Sequence, residues 1–109
     1  MYSTPSQIFT EKIAVKVVKE PSKAKSIGVK VNFDLSGANG GKWLLDCSQE
    51  PAVVVAGAAE DARITITMTD EDFVKLGNGE LRAEMAFMTG KLKVKGDMSL
   101  AIKLGQILA

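Results

Sequence analysis

The sequence predicts an α+β domain of the α/β-sandwich type: a five-stranded mixed, mostly antiparallel sheet with helices covering one face. Two patterns carry that prediction. Between residues 27 and 68, apolar and polar side chains alternate with period two in successive runs, which marks half-buried strands. From Thr69 to Met88 the apolar spacing changes to three and four, which marks helices. Length sets the scale: 109 residues suit one hydrophobic core, so residues 1–109 are read as a single domain whose interior serves folding and function together.

The elements follow in order. Thr4, Pro5, Ser6 and Gln7 form a capping box with proline at the first helical position, and Phe9, Ile13 and Val17 follow at helical spacing until Pro21 ends the helix. Residues 22–26 are polar and read as a linker. Ile27, Val29, Val31, Phe33 and Leu35 alternate with Gly28, Lys30, Asn32 and Asp34, the first strand. Turn residues 36–41 lead to a second strand, in which Trp43, Leu45 and Cys47 share one face, and the apolar run 52–56 after Pro51 supplies a third. Residues 63–68 form the fourth, with Ile64, Ile66 and Met68 opposite Thr65 and Thr67. Thr69 caps a short helix through Phe73 and Leu76 that ends at Asn78 and Gly79, and Leu81, Met85 and Met88 at i, i+4, i+7 mark another. Residues 91–95 return to a strand with one charged face, and Asp97 caps the last helix. Three strands in succession suggest an antiparallel meander, and the order strand, helices, strand implies a crossover that sets the fourth and fifth strands parallel.

Several function classes drop out. A formal charge of +1 supplies no long-range field for a polyanion, so nucleic acid is not an expected partner. The chain has no histidine, which removes the commonest general base and metal ligand; no enzymatic activity, metal or cofactor is expected. Cys47 continues the apolar face of Trp43 and Leu45 and reads as a core thiol rather than the nucleophile of, for instance, a thioesterase. Asp70, Glu71 and Asp72 fall in a first helical turn, where the helix dipole favours negative charge; as a calcium loop they fail, with Lys75 sixth and Leu81 twelfth. Residues 36–43 lack the leading glycine and the Ser or Thr of a phosphate loop and form a hairpin turn. Lys91, Lys93 and Lys95, without aromatic partners, read as a solvated sheet face. A lone cysteine, and a start at Met1 without a basic region or apolar run, point to an intracellular, reducing location.

What remains is apolar. The last helix carries Met98, Leu100, Ala101, Ile102, Leu104, Ile107 and Leu108 around most of its circumference, leaving Ser99, Lys103 and Gln106 as a narrow polar strip. It is either a buried closing helix or a ligand lid. Gly105 within it and the pliable Met68, Met85, Met88 and Met98 in or beside the helical half favour the lid.

The residues Asp72, Phe73, Leu76, Gly79 and Leu81, then 86–98, then Leu100, Ala101, Lys103 and Leu104 resemble the sterol carrier protein type 2 (non-specific lipid-transfer protein) family. The resemblance implies a hydrophobic tunnel between sheet and helices that takes a fatty acid, fatty acyl-CoA or sterol. Phe73, Leu76, Met85, Phe87 and Met88 would line it, and Leu100, Leu104, Ile107 and Leu108 would close it. From the alternation, the sheet adds Phe33, Trp43, Leu45, Ile66 and Met68, and Lys103 or Gln106 stands near the mouth as a headgroup contact. The expected function is lipid binding and transfer by a monomer that makes transient membrane contact. The alternative is an interaction or substrate-presenting accessory domain of a larger lipid-metabolising enzyme. Members often end in a peroxisomal Ser/Ala-Lys-Leu address, whereas this chain ends Ile107, Leu108, Ala109, so the cytoplasm is the expected compartment, with the peroxisome as alternative.

Overall fold

The capping signals at the start of the chain produce a long helical rod. In a computed structural model that describes residues 1–108, the Thr4 hydroxyl accepts from the Gln7 N–H, and the Gln7 side chain accepts from the Ser3 N–H at 2.6 Å. The rod runs through α1 (Pro5–Gln7), a π-helical segment (Ile8–Ile13) and α2 (Ala14–Lys19) without leaving helical backbone angles. The wider winding, seen in the Ala14 N–H bonding to the Phe9 carbonyl, accompanies the burial of Ile8, Phe9 and Ile13 against the rest of the fold.

The expected linker 22–26 is instead part of a helix, α3 (Pro21–Ile27). Pro21 both ends the first rod and occupies the first position of the next helix, where its missing N–H costs nothing, and Gly28 at φ 65° closes α3 in the left-handed conformation. Ala24 and Ile27 point inward, so Ile27 belongs to α3 and the first strand starts later than the alternation suggests.

The strands are β1 (Lys30–Ser36), β2 (Gly41–Asp46), β3 (Val53–Ala56), β4 (Ile64–Thr69) and β5 (Lys93–Gly96), in the order β3-β2-β1-β4-β5. The meander is antiparallel, as expected, but β4 and β5 are antiparallel too, and the parallel pair is β1 with β4. The crossover therefore sits one connection earlier, in residues 57–63. It needs no helix: a diagonal of three strand spacings, about 4.8 Å each, and a few residues along the strand is only about 20 Å, within reach of an extended heptapeptide. Asn32, on the face of β1 away from the core side chains, pins it, donating to the Ala59 carbonyl at 2.8 Å and accepting from the Ala59 N–H at 2.9 Å. Lys30 adds an ion pair to Asp61 at 2.9 Å.

Helices α4 (Asp70–Gly77) and α5 (Ala83–Met88) form an excursion that returns to the end of β4 it left, since Thr67 pairs with Lys93. That return makes the edge pair antiparallel. Thr69 caps α4 by accepting from the Asp72 N–H, and Asp97 caps the final helix, α6 (Met98–Leu108), by accepting from the Leu100 N–H. All helices serve one face of the sheet, the face of Val31, Phe33, Leu35, Leu45, Ile64, Ile66 and Met68, and those side chains join the helical ones in one core. α4 lies so close to the first rod that any side chain at Gly77 would run into Ile8. The Lys12 ammonium bonds the Gly77 carbonyl there at 2.8 Å. Its pKa is lowered, by burial first and by Lys16 second.

Candidate functional site

The expected wall residues gather around one aromatic side chain. Phe9, completely buried, stacks on Trp43 with centroids 4.7 Å apart and on Phe73 at 4.9 Å, and meets Phe33 edge-on at 5.1 Å. Strand register builds this group, because Phe33 lies opposite Trp43 on β2 and opposite Ile66 on β4. The Thr69 cap then sets Phe73 on the first turn of α4. Each such ring pair contributes about 0.5–1.5 kcal/mol beyond its area burial. Leu45, Ile66, Met68 and Leu76 are buried in the same core. α6 contributes Leu104, Ile107 and Leu108, all buried, and Leu100, half-buried.

Three expected wall residues fall elsewhere. Met85, Phe87 and Met88 are 53%, 44% and 79% exposed, and α5 turns Ala86 inward instead. The spacing from Leu81 assumed a helix that includes Leu81, but α5 begins at Ala83 after Arg82, so Leu81 does not share a helix face with Met85 and Met88, and the buried residue of α5 is Ala86. Gln106 and Lys103 lie exposed on the outer side of α6. Phe9 is the residue sequence reasoning placed on a helix face but not in the wall. The available signal was an aromatic at an inward position of a helix that must cover a sheet rich in aromatic and β-branched side chains.

Between sheet and helices the aromatic group and the α6 side chains Leu104, Ile107 and Leu108 are buried in one packed core. A cleft of about 190 Å³ lies between the α2–α3 turn and the loop after β2, bordered by Val17, Pro21, Ala24, Cys47 and Pro51. Ligand pockets usually hold about 300–1,000 Å³, so that cleft is too small for a lipid chain. A second, of about 300 Å³, is bordered by Asp70, Glu71, Lys75 and Glu80, charges that suit no hydrocarbon.

The titratable groups are used structurally. Burial pushes the Cys47 thiol up to about 11, with the Asp46 charge adding to it, so the thiol stays neutral and unreactive near pH 7. Burial alone would raise Asp46 as well. Hydrogen bonds from the Ser48 hydroxyl, the Gln49 side chain and the Ser48 N–H outweigh that and hold its carboxyl below the usual range. Asp70 accepts from the Asn39 and Glu71 N–H groups, each at 2.9 Å, tying the β1–β2 turn to the start of α4. Among the described residues no three His, Cys, Asp or Glu side chains gather as metal ligands, and no helix is long and apolar enough to cross a membrane.

The geometry thus defines a small sheet-and-helix domain whose distinctive feature is its apolar interior and the apolar helix over it. The chain belongs to the SCP-2 sterol transfer family, which matches residues 11–109, and the domain is accordingly one of lipid binding or transfer. Hydroxysteroid dehydrogenase-like protein 2 of Homo sapiens is 48% identical over 77 residues, 70% of this chain and 18% of that protein's length. The apo form of Sterol Carrier Protein 2 from Yarrowia lipolytica superposes with a TM-score of 0.74 at 28% identity, over 90% of this chain and 84% of that one. The sterol carrier protein domain 2 of Helicoverpa armigera does so at 0.76 and 25% identity, over 99% and 91%. This chain therefore spans less than a fifth of the human relative.

Proposed function

We propose that the domain takes up a fatty acid, a fatty acyl-CoA or a sterol into the space that α6 now closes against the sheet. The observation that carries this reading is the two-sided apolarity of α6. Leu104, Ile107 and Leu108 are buried beneath it while Met98 and Ile102 stand 42% and 73% exposed on its outer side. A helix held only as a structural cover needs one apolar stripe, not two. Because Leu104, Ile107 and Leu108 are buried against the core, a lipid chain taking their place requires α6 to move. The acyl chain then replaces the contacts of Leu100, Leu104, Ile107 and Leu108 with the core. Enclosing about ten methylenes yields roughly 8 kcal/mol gross, part of it lost to association and ordering, so binding without a charged anchor is favourable but weaker than micromolar, and each further methylene enclosed adds about 0.8 kcal/mol. The driving force is nondirectional, and ligands are ranked by length and shape more than by headgroup.

Native mass spectrometry of the purified protein, with extraction of whatever accompanies it, tests the proposal. A lipid at near-stoichiometric amount supports it, and Leu100→Gln should weaken binding while leaving the fold intact. A clean apo mass that fails to take up palmitate or palmitoyl-CoA would overturn it. A second reading has its own observation: the match to this chain covers only 18% of the human dehydrogenase-like relative. In a longer polypeptide of that kind the domain would present a lipid to a neighbouring catalytic domain. Faster turnover of a lipid substrate by the joined protein than by the catalytic part alone would favour this role.

A further inference from the structure

The two edges of the sheet are built differently. β5 carries Lys93 and Lys95 among its residues, the kind of charge that keeps an edge strand from pairing with another chain. β3, at the other edge, reads Val53, Val54, Val55 and Ala56, and residues 51–59 around it contain no charged side chain. Valine is among the strongest strand formers, and an uncharged run of it at an open edge is a template for a further strand.

The ladder fixes which backbone groups of that edge are free. The Gly57 N–H bonds the Lys42 carbonyl at 2.8 Å, which makes these two a hydrogen-bonded pair, and the alternation of an antiparallel ladder makes Val55 with Leu44 and Val53 with Asp46 the next ones. Val54 and Ala56 therefore turn N–H and C=O away from β2, and among the described residues nothing bonds them. Those four groups are self-complementary. A second β3 laid antiparallel about a two-fold axis at Val55 sets Val54 opposite the partner's Ala56 and Ala56 opposite the partner's Val54, and all four groups on each side are then used. An axis at Val54 or at Ala56 would pair the other of the two with a residue outside the strand.

The side chains around the axis are apolar on both faces. At Val55 itself the two copies meet as a non-hydrogen-bonded pair, with Cα atoms about 4.5 Å apart. Val55 is 47% exposed on the open face of the sheet beside half-buried Leu44 on β2, so their apolar row continues across the axis. On the other face the first rod packs on β3, and its Lys12 flank is tied to α4. The flank left over the edge carries Ala14 and Val18, spaced i, i+4, the latter 62% exposed. A second copy brings the same neutral surface and leaves no charge buried against valine.

We propose that β3 is a dimerisation edge, at which two copies of the domain pair antiparallel about Val55 into one ten-stranded sheet. This goes beyond the lipid reading and replaces the monomer expected from the sequence. α6 packs on β5 at the far edge, so pairing leaves the helix proposed to open untouched. Four strand residues a side make a small contact, and the dimer therefore forms and dissociates with concentration.

Sedimentation velocity from about 5 μM to about 1 mM should show the mass rising towards that of a dimer. Val55→Lys sets two ammonium groups on the axis, and Ala56→Pro removes an N–H that faces away from β2 and so spares the existing ladder; each should weaken dimerisation about tenfold or more with unchanged circular dichroism. Val55→Cys in a Cys47→Ala background should oxidise to a disulfide-linked dimer, whereas Thr67→Cys, exposed on the same face of the sheet, should not, and this pair reads the axis even if the other variants fail to fold. A monomer throughout the range, a dimer that Val55→Lys and Ala56→Pro leave intact, cross-linking that is no faster at position 55 than at 67, or a dimer dispersed instead by Ile102→Asp on α6 would each overturn the proposal.

Discussion

Replacing Phe9 by alanine tests the closed core at its centre. The ring is fully buried and touches three other aromatic rings at centroid distances of 4.7, 4.9 and 5.1 Å. Truncating such a phenylalanine costs about 3–5 kcal/mol, transfer and cavity terms together. At about 4 °C per kcal/mol for a domain of this size, melting should fall by about 12–20 °C. Phe9→Leu keeps most of the volume but loses the ring pairs, and three of those at about 0.5 kcal/mol each predict a loss of about 1.5 kcal/mol. The chain has one tryptophan, and it is Trp43, so urea unfolding followed by its fluorescence reads the stability and the stacked pair in one experiment. If lipid enters this interior, palmitate at about a hundred times its Kd should return about 2.7 kcal/mol of the loss. A cost below about 1 kcal/mol with unchanged Trp43 emission would refute the reasoning, because Phe9 would then not be packed between Trp43 and Phe73 in solution.

Three further outcomes are expected. Asn32→Ala removes both hydrogen bonds to Ala59 and should cost about 1–2 kcal/mol in urea unfolding, with hydrogen exchange of the Ala59 amide, bonded at 2.9 Å, rising in proportion. The Cys47 thiol, raised from 9.0 to about 11, keeps its proton in the folded protein over a range where the unfolded chain loses it. Its contribution is therefore fully present below about pH 9 and is lost as pH rises towards 11; Cys47→Ala should flatten that part of the stability curve. Gly105→Ala adds a methyl in ordinary contact 4.0 Å from Ala83, so it should stabilise α6 by about 0.5–1 kcal/mol in denaturant. If α6 must move for lipid to enter, stopped-flow uptake of palmitate should slow in that variant.

Much of the fold was legible because burial in this chain is one-sided. Strict alternation in β1 and β4 follows from a sheet with helices on one face only, and it put Phe33, Ile66 and Met68 on the correct side. Capping residues were equally readable, since Thr4, Thr69 and Asp97 accept the bonds their positions require. α3 was missed because its two buried residues, Ala24 and Ile27, are too few to make a periodic signal, although Pro21 and Gly28 bracket it. The parallel pairing of β1 with β4 was hidden because its crossover carries no helix and is anchored by one asparagine. The outward turn of Met85, Phe87 and Met88 was hidden because Leu81 lies outside α5, so its inward side chain says nothing about which face of that six-residue helix is buried. The expectation drawn from Ala109 lies outside the described residues.

The composition of the two walls bears on where a closed core of this kind can open. Away from α6, Phe9 contacts Phe33, Trp43 and Phe73, and Phe33 also meets Phe73, so displacing Phe9, Phe33 or Phe73 breaks at least two ring pairs at once. On the α6 side the wall is aliphatic, Leu100, Leu104, Ile107 and Leu108, with no ring pair to break. An acyl chain offers the core the same kind of contact that leucine and isoleucine make, and an exchange of like for like costs little. Losing the aromatic stack would have no such compensation. The aromatic wall is thus suited to remain as a fixed floor and α6 to yield. This predicts that palmitate, if it binds, raises hydrogen exchange in α6 while leaving the amides of β1 and β4 protected. Exchange rising first in the first helical rod would place the opening beside Phe9 instead and reverse the assignment of floor and lid.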